Sequence, residues 1–421
     1  MSLPRYPKYR NSGAPWLGDV PAHWQISPLK RLIDIQNGAD HKAVEQPDGY
    51  PVIGSGGAFA FASDYLYDGE AVLLGRKGTI DKPLHVTGKF WTVDTMYWSK
   101  IKPGASGRFS YYAALTIPFS YYSTSTALPS MTKSALNAHS IACPPLEEQT
   151  IIAAFLDRET AKIDALIAEQ EKLLTLLSEK RQATISHAVT RGINRDAPMK
   201  DSGAVWLGKV PAHWEVCRVK DVARLESGHT PSKQIPEYWE DCEIPWVSLN
   251  DSKHLAKHDY ISDTAVKINE LGLANSSARM LPAGAVVFTR DATIGLASIT
   301  TIPMAVSQHL IAWCPSQRIT SLYLLRVFNA MKPHLDSYTF GATIKTIGMG
   351  DVKKLVTPVP PVEEQQEIAA FIDSETTKLD ELKANAERGI DLLKERRSAL
   401  ISAAVTGKID VRNAVPQELA A

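Results

Sequence analysis

Two long stretches of the chain, Leu146–Thr190 and Val362–Thr406, carry apolar residues at alternating spacings of three and four. This period predicts two helices, each with a continuous apolar stripe of the kind that packs in a coiled coil. At 1.5 Å per residue, about 40 residues form a helix roughly 60 Å long. Polar residues interrupt the two stripes at Glu159, Gln170 and Glu375. The predicted stripe positions are Ile152, Leu156, Ile163, Leu166, Leu173 and Leu177 in the first stretch and Ile368, Ile372, Leu379, Leu382, Ala386 and Leu393 in the second.

Both stretches also show where their helices begin and end. Each follows a Pro-Pro pair, and Glu-Glu-Gln comes shortly after, so that carboxylates lie in the first turn, near the positive end of the helix dipole. Gly192 and Gly407, beyond the last apolar turn, are the predicted stops. Since neither helix can bury its stripe alone, we expect the two to pack against each other as an antiparallel pair.

Shorter apolar runs separated by Gly and Pro occupy the rest of the chain. Runs of four or five residues between turn formers predict buried strands. Short helical patches, such as Tyr111–Leu115 and Leu322–Met331, lie among them. The combination predicts an α+β fold with curled sheets. The strand-like runs are Ala71–Leu74, Phe90–Val93, Ala285–Thr289 and Leu310–Trp313.

The chain is a tandem repeat with two nearly fixed segments. Residues 12–24 (SGAPWLGDVPAHW) return as residues 202–214 (SGAVWLGKVPAHW), with 11 of 13 positions identical. Residues 144–164 return as residues 360–380, with 14 of 21 identical. Between these framework segments the sequence has diverged, which indicates one frame that holds two different recognition surfaces. The framework tryptophans, predicted to form packed aromatic clusters, are Trp16, Trp24, Trp206 and Trp214.

The repeat also predicts the domains. They are a framework segment with the first insert (1–143), the first long helix (144–190), a linker with the second framework segment and second insert (191–359), and the second long helix with a tail (360–421). We use "first insert" for Ala39–Cys143 and "second insert" for His229–Val359. The tail corresponds to the linker at Arg191–Lys200, so the repeat order is circular. Circular order predicts a pseudo-twofold arrangement with the inserts at opposite ends of the helix pair.

Composition and charge narrow the class of protein. The 421 residues are 44% hydrophobic and 22% charged, with a formal net charge of zero, as in ordinary globular chains. Acidic residues outnumber basic ones in the two helical stretches, so a polyanion is expected to meet the inserts instead. No apolar run is long enough to span a bilayer, and no signal-peptide core is present, which predicts a cytoplasmic protein. The cysteines are too widely spaced to indicate disulfides or a zinc site: Cys143, Cys217, Cys242 and Cys314.

Motifs for catalysis are absent from the sequence. It contains no P-loop, no GxGxxG after a strand, no HExxH and no zinc-deaminase spacing. The Pro-Pro pairs begin helices and do not form the Asn/Asp-Pro-Pro-aromatic signature of an adenine methyltransferase. We therefore expect a chain that is not an enzyme by itself. Two alternatives stay open: an enzyme with an unrecognised site, and a coiled-coil scaffold that binds only protein.

Polar or basic loops beside the apolar runs are the candidate binding features. The loop Gly75–Thr79 aligns with Thr289–Thr293, which places Arg290 opposite Arg76. A loop arginine can donate two hydrogen bonds to guanine, an amide can read adenine, and Lys or Thr can hold a phosphate. The alternative is that these are ordinary surface turns, with Arg290 paired to a carboxylate such as Asp291. The candidate residues are Ser55, Gly56, Gly57, Arg76, Lys77, Gly78, Thr79 and Lys133 in the first insert and Thr230, Ser232, Lys233, Asn250, Arg290, Thr293, Gln308 and Lys345 in the second.

Taken together, these segments resemble the DNA-specificity subunit of type I restriction-modification enzymes. The repeated SGAPWLGDVPAHW and SGAVWLGKVPAHW resemble its framework signature, and PPLEEQ…IDALI and PPVEEQ…LDELK resemble its paired helices. GYPVIGSGGAFA, GRKGTID and KFWTVDTMY resemble one class of target-recognition domain, and SGHTPSK, YWEDCEIPWVSLND and SQHLIAWC resemble another. Two departures concern the base contacts: Asp81 stands where a glycine is common, as at Gly295, and the second loop reads Arg-Asp-Ala instead of Arg-Lys-Gly.

The resemblance implies a non-catalytic subunit that reads a bipartite, asymmetric site in double-stranded DNA. Each of two target-recognition domains would read one half, and a pair of long antiparallel coiled-coil helices would separate them. It also implies partners, namely two methyltransferase subunits and ATP-dependent restriction subunits. S-adenosylmethionine, ATP and Mg would belong to those partners, whereas the chain itself is expected to hold no cofactor or metal and to contact no membrane.

Overall fold

The computed structural model describes residues 3–122, 129–340 and 345–414. The chain forms two compact units, and each contains part of both long helices. The first unit comprises Met1–Glu171 and Glu387–Ala421, and the second comprises Lys172–Ala386. Within the described ranges, no helix is both long enough and apolar enough to cross a membrane.

The first unit is built from short strands and helices that precede a long helix. Its strands are β1 (Tyr9–Asn11), β2 (Asp19–Pro21), β3 (Gln25–Pro28), β4 (Ile33–Asn37), β5 (Glu45–Gln46), β6 (Tyr50–Gly54), β7 (Gly57–Ala62), β8 (Tyr67–Asp68), β9 (Ala71–Gly75), β10 (Leu84–Val86), β11 (Lys89–Thr92), β12 (Met96–Ile101) and β13 (Ser140–Cys143). Its helices are α1 (Gly107–Ala114), α2 (Phe119–Tyr122), α3 (Lys133–Ala138) and the long α4 (Leu146–Arg191), which continues into the second unit. A 3₁₀ turn spans Leu29–Arg31.

The second unit repeats this plan. Its strands are β14 (Met199–Asp201), β15 (Lys209–Pro211), β16 (Glu215–Arg218), β17 (Ala223–Ser227), β18 (Ile244–Val247), β19 (Tyr260–Ile261), β20 (Lys267–Ile268), β21 (Val286–Thr289), β22 (Ala297–Thr300), β23 (Ala305–Val306), β24 (Leu310–Pro315), β25 (Thr339–Phe340), β26 (Thr346–Ile347) and β27 (Val356–Val359). Its helices are α5 (Ser252–Leu255), α6 (Glu270–Ala274), α7 (Ser321–Leu335), α8 (Met349–Val352) and the long α9 (Val362–Val405), which ends in the first unit. The 3₁₀ turns are Val219–Asp221, Pro236–Tyr238, Leu249–Asp251 and Asp336–Tyr338.

The framework segment of each unit folds as a hairpin over a buried tryptophan. Strand β1 pairs antiparallel with β2, and β14 pairs with β15 in the same way. Trp24 and Trp214 are fully buried behind these hairpins, and Trp16 and Trp206 are partly buried against the same cores. All four framework tryptophans therefore pack into the hydrophobic cores, and Trp16 and Trp24 also contact tyrosine rings, as the predicted aromatic clusters require.

The two ends of each insert are joined by a strand pair. Strand β3, which follows the framework segment, pairs antiparallel with β13, which precedes α4. Strands β16 and β27 form the corresponding pair in the second unit. Because backbone groups make these contacts, the frame can hold inserts of different sequence.

Two larger sheets, each built mostly from insert strands, form the body of each unit, in keeping with the α+β prediction. The strand orders are β10-β9-β12-β4 and β5-β7-β6-β11-β8 in the first unit, and β17-β24-β21-β22-β19 and β20-β18-β23 in the second. The predicted strand-like runs overlap β9, β11, β21 and β24, the predicted helical patches overlap α1 and α7, and none extends more than one residue beyond its element. These elements supply part of each main hydrophobic core, β9 and α1 in the first unit and β21, β24 and α7 in the second.

An arginine fastens the helix of each insert to a long helix. In the first unit Arg108 on α1 donates from Nε to both carboxylate oxygens of Asp157 on α4, at 3.0 and 3.2 Å. In the second unit Arg326 on α7 donates to Asp373 on α9 at 2.5 Å and from Nη1 to Asp259 at 2.9 Å. Asp157 and Asp373 are equivalent in the repeat, so unlike inserts use the same attachment to the frame.

The long helices begin and end where the sequence predicts. Gln149 and Gln365, in the first turns, are buried, and each donates from Nε2 to the carbonyl of the first proline of its pair at 2.9 Å. Gly192 and Gly407 have φ of 71° and 73°, the left-handed conformation that closes a helix C-terminus. A Cβ on Gly407 would lie 2.3 Å from a ring carbon of Pro21, so this stop also requires glycine for space.

The helices pack antiparallel within each unit. In the first unit Ile152 and Leu156, near the start of α4, share a core with Ile401 and Val405, near the end of α9. In the second unit the end of α4 shares a core with the start of α9. The predicted antiparallel pairing is confirmed by these contacts.

The predicted apolar stripe is wrong at three positions. Leu166, Leu173 and Leu382 are 46%, 39% and 53% exposed, whereas most of the other predicted stripe positions are buried. The half-buried residues beside the first two are Ile167 and Leu174. Because neighbouring columns of α4 are both apolar here, the 3-4 spacing alone could not determine which column faces the partner helix.

The C-terminal tail meets the start of the chain in the first unit. The amide of Asp410 donates to the carbonyl of Pro4 at 2.8 Å, and the hydroxyl of Tyr9 donates to the carbonyl of Gly407 at 2.9 Å. The guanidinium of Arg412 lies 5.0 Å from the ring centre of Tyr6. This non-covalent junction occupies the place of the covalent linker in the other repeat, as the circular order predicts. Residues 415–421 of the predicted tail lie outside the described residues.

Candidate nucleic-acid interface

Three backbone segments meet at the arginine loop of the first unit. The amide of Arg76 donates to the carbonyl of Thr95 at 2.9 Å, and the carbonyl of Arg76 accepts from the amide of Met131 at 2.9 Å. The amide of Gly78 donates to the carbonyl of Pro129, also at 2.9 Å. The loop after β9 is therefore held between the turn before β12 and the segment before α3.

The second unit repeats these hydrogen bonds around Arg290. Its amide donates to the carbonyl of His309 at 3.1 Å, and its carbonyl accepts from the amide of Ile347 at 2.9 Å. The amide of Ala292 donates to the carbonyl of Lys345 at 2.9 Å. The two arginine loops are thus equivalent in backbone structure, as the sequence alignment of the repeats predicts.

The turn after each arginine needs a left-handed residue. Gly78 has φ of 80°, and Ala292, at the equivalent position, has φ of 63°. A side chain at such a φ is strained, because its Cβ approaches the following carbonyl. The backbone at Ala292 is therefore strained, because this loop follows the same path as the loop that has Gly78 at the equivalent position.

A second turn lies at the same edge in each unit, because parallel strands end together. Strands β6 and β11 are parallel, and the turn Ser55–Gly57 follows β6. Strands β18 and β23 are likewise parallel, and Asn250 lies three residues after β18. The amide of Ser307 donates to the carbonyl of Val247 at 2.9 Å. These turns therefore lie beside the segments that hold the arginine loops.

The first unit presents basic and hydroxyl groups from this edge. Arg76 donates from Nη1 to the carbonyl of Asp94 at 3.2 Å, and its guanidinium lies 5.8 Å from the ring centre of Tyr97. Lys77 and Thr79 are exposed beside it. Lys133, the first residue of α3, lies two positions after Met131, which pairs with the loop. The arrangement offers donors to an anionic backbone or to base edges.

The second unit surrounds its arginine with a different set of side chains. Arg290 Nε lies 3.8 Å from Asp291 Oδ1, so the two groups form a long ion pair. Asp291 is buried, and its Oδ2 lies 2.8 Å from Nδ1 of His309. Next to His309, the exposed Gln308 accepts a hydrogen bond from the hydroxyl of Thr230. The equivalent backbone structure therefore carries carboxylate, imidazole and amide side chains around the arginine of the second unit.

Two other candidate residues lie in a loop of their own. The carbonyl of Ser232 accepts from the indole N–H of Trp239 at 3.1 Å, and Lys233 lines an open cavity of about 540 Å³ with that tryptophan. Among the described hydrogen bonds, none joins Ser232 or Lys233 directly to the Arg290 loop. Thr230 makes the connection instead, through Gln308. Thr293 and Lys345 are exposed on the arginine loop and on the segment beside it.

Sequence reasoning missed Asp94 and His309 as candidates. Both lie in a short turn between consecutive strands of different sheets, β11 and β12 in one unit and β23 and β24 in the other. The signal was available, since this turn precedes the buried runs MYW and LIAW in the two repeats. Within the described part of the chain, no group of three or more His, Cys, Asp or Glu is placed to hold a metal ion.

The chain matches one protein-family model twice, in keeping with its repeated frame. The model describes the type I restriction modification DNA specificity domain, and it matches residues 21–175 and 211–389. The chain belongs to this family. The resemblance inferred from the framework segments and helices is therefore confirmed.

Relatives within this specificity family cover the chain to different extents. The MjaIX specificity subunit of Methanocaldococcus jannaschii is 31% identical over 45% of this chain and 43% of its own length. The putative MjaX specificity subunit of the same organism is 21% identical over 94% of this chain and 96% of its own length. The EcoDI specificity subunit of Escherichia coli is 20% identical over 93% and 90% of the two chains.

Solved structures of this family share the fold. A chain from a study of complex assembly and conformational transition of the type I R-M system aligns with a TM-score of 0.66 at 18% identity, over 92% of this chain and 98% of that one. The HsdS subunit of Thermoanaerobacter tengcongensis aligns with a TM-score of 0.52 at 15% identity, over 93% and 98% of the two chains. The match extends over nearly the whole of both chains.

Proposed function

We propose that this protein is the specificity subunit of a type I restriction-modification complex and that each unit reads one half of a bipartite DNA site. The observation that carries the proposal is the pair of arginine loops. Their backbone hydrogen bonds are the same, whereas the side chains around them differ. A common frame with unlike side chains suits two half-sites of different sequence.

The exposed face of the long helices supports a second part of the proposal, docking of methyltransferase subunits. Exposed leucines occur on both helices: Leu166, Leu173 and Leu176 on α4, and Leu382 and Leu392 on α9. Two helices of the same design would offer equivalent surfaces to two copies of a partner. The helices would also fix the distance between the half-sites.

In this proposal the chain contributes recognition, and its partners contribute chemistry. The methyltransferase subunits would bring S-adenosylmethionine and methylate adenine at N6, and the restriction subunits would use ATP and Mg. The specificity subunit would decide where both activities act. Action on cellular DNA also implies the predicted cytoplasmic location.

Methylation mapping tests the proposal directly. The chain would be co-expressed with its cognate methyltransferase subunit, and methylated adenines would be mapped across the host genome. We expect one asymmetric motif with two defined halves and a spacer of fixed length. Methylation without a defined motif, or with a motif that does not depend on this chain, would contradict the proposal. Cells that express the methyltransferase subunit alone are the control.

A further inference from the structure

Four side chains of the second unit form one hydrogen-bonded line from Asp291 to Thr230. Asp291 Oδ2 lies 2.8 Å from His309 Nδ1, and His309 Nε2 lies 3.4 Å from Gln308 Nε2. The hydroxyl of Thr230 donates to Gln308 Oε1. Asp291 is buried at one end of this line, whereas Gln308 is exposed.

The line fixes which way the amide of Gln308 faces. A carboxylate only accepts, so Nδ1 of His309 carries a hydrogen and donates a hydrogen bond to Asp291 Oδ2. In the neutral imidazole the other nitrogen, Nε2, is then an acceptor, and it requires the amino group of Gln308. The carbonyl of Gln308 is left to face the hydroxyl of Thr230. A reversed amide would place its oxygen against the imidazole lone pair.

An amide held in this way keeps one donor and one acceptor for a ligand. Its amino group has a second hydrogen, and its carbonyl oxygen has a second lone pair. In the major groove, adenine presents one acceptor, N7, and one donor, the N6 amino group. Guanine presents two acceptors there, and thymine presents an acceptor beside a methyl group. Cytosine presents only the N4 amino donor, so adenine alone among the four bases can use both free groups of Gln308.

We propose that Gln308 is a specificity-determining residue that selects adenine at one position of the half-site read by the second unit. His309 and Thr230 act as positioning residues, since they hold the amide of Gln308 without contacting the base. This assignment rests on the proposed function. It adds which side chain reads the half-site, Gln308, and which base that side chain selects, adenine.

The equivalent place in the first unit carries different chemistry. Equivalent backbone bonds, from Arg76 to Thr95 and from Arg290 to His309, make Asp94 the counterpart of Gln308. Asp94 is exposed, and its carboxylate can only accept, which fits an amino group such as N4 of cytosine. One backbone position thus carries a different hydrogen-bonding pattern in each unit, as an asymmetric site requires.

The test replaces Gln308 by a side chain of similar length without hydrogen bonds. The complex of the chain with its methyltransferase subunits would carry Gln308→Met, and binding would be measured to duplexes with each of the four bases at each position of the mapped half-site. We expect the preference for adenine at one position to fall roughly 5- to 150-fold, the range that corresponds to one bidentate contact. Every other position should keep its preference.

Gln317→Met is the matched control. Gln317 is also exposed, but it follows the C-terminal end of β24, whereas Gln308 precedes the start of that strand. The control should bind the whole duplex set as the unmodified complex does. An equal change of base preference in both variants would overturn the assignment.

The positioning residues are tested by variants that leave Gln308 in place. In His309→Asn the amide nitrogen can still donate to Asp291, but the shorter side chain brings no acceptor to the place of Nε2. Thr230→Val removes the hydroxyl and keeps the shape of the side chain. Both should reduce the adenine preference at the same position as Gln308→Met, by a smaller factor, and they provide the test if that variant does not assemble.

The outcomes separate this assignment from the proposed function. If the unmodified complex shows no defined motif, the proposed function fails. If the motif is present and Gln308→Met keeps every base preference, only the assignment of Gln308 is wrong. An equal loss of binding on all sequences would also overturn it, because that result identifies a contact to the DNA backbone.

Discussion

Arg397 donates two hydrogen bonds to Asp164, from Nε to Oδ1 at 2.8 Å and from Nη2 to Oδ2 at 3.2 Å. Asp164 lies on α4 and Arg397 on α9, both in the first unit. In the second unit Arg181 Nε lies 3.4 Å from Asp380 Oδ1. Here the arginine lies on α4 and the aspartate on α9, the reverse of the first unit. The repeat relates Asp164 to Asp380 and Arg181 to Arg397, so each unit contains the same ion pair. An antiparallel register common to both units follows from this equivalence.

The first prediction concerns the long helices as a ruler. Insertion of four residues beside Leu174 adds about 6 Å to α4, which is nearly two base pairs at about 3.4 Å each. We expect the spacer between the half-sites to lengthen while both half-sites stay the same, as read by methylation mapping. Replacement of Leu174 by alanine without an insertion is the control for disturbed packing. An unchanged spacer in a folded, active complex would show that the helices do not set the distance.

The sequence was sufficient for the frame and insufficient for the details of the site. Proline starts and glycine stops locate the ends of the long helices, because each of these signals acts within one turn of chain, and the repeat relates one helix to the other. The exposure of Leu166 and Leu173 could not be predicted, since it depends on which of two apolar columns of α4 meets the partner helix. The link from Asp291 through His309 to Gln308 joins the loop after β21 to the turn before β24, and no local pattern encodes such a contact.

The second prediction concerns modularity. Replacement of Ala39–Cys143 by the insert of a relative should change one half of the methylated motif and leave the other half intact. The exchange should succeed best with an insert that carries an arginine in place of Arg108, because that residue fastens the insert to Asp157. A reciprocal exchange of His229–Val359 is the control and should change the other half. Alteration of both halves by one exchange would contradict the one-unit, one-half proposal.

The third prediction separates base reading from backbone binding at the arginine loops. If Arg76 or Arg290 contacts a guanine, its replacement by alanine should cost about 1–3 kcal/mol of binding free energy and relax one base position. If it contacts a phosphate, binding should fall on all sequences, and the salt dependence should weaken by about one unit of slope. Equilibrium binding across a salt series distinguishes the two. Melting temperatures of the variants identify a third result, in which the arginine serves stability through a neighbour such as Asp291.

The fourth prediction concerns the strained turn after Arg290. Ala292→Gly should raise the melting temperature, because it removes a left-handed strain of about 1 kcal/mol, partly offset by the greater freedom of glycine in the unfolded chain. Gly78→Ala should lower it by a similar amount, and strain alone would be responsible, since a Cβ at Gly78 meets no atom within 4 Å. Ala265→Gly, at an exposed position without positive φ, is the control and should be destabilising. A lower melting temperature for Ala292→Gly would contradict the strain argument.

The fifth prediction concerns the pH dependence of stability through His139. The ring of His139 is 2% exposed and stacks on Trp16 with a centroid distance of 5.1 Å, and its Nδ1 lies 2.8 Å from the hydroxyl of Tyr122. Burial lowers the pKa of His139 to about 4 in the folded protein, against about 6.5 in an unfolded chain. As the pH falls from about 6.5 to about 4, His139 is therefore protonated in the unfolded chain but stays neutral in the folded protein.

Stability from the neutral His139 ring should accordingly be present above pH 6.5 and lost progressively below it. His139→Phe keeps an aromatic ring on Trp16 and cannot titrate, and adding Tyr122→Phe removes the hydroxyl that would lose its partner. We expect the melting temperature of the double variant to fall less than that of the unmodified protein between pH 7.5 and pH 4.5. The Tyr122→Phe single variant keeps the histidine and should retain the full pH dependence. Parallel curves for the unmodified protein and the double variant would show that His139 takes up its proton without unfolding the first unit.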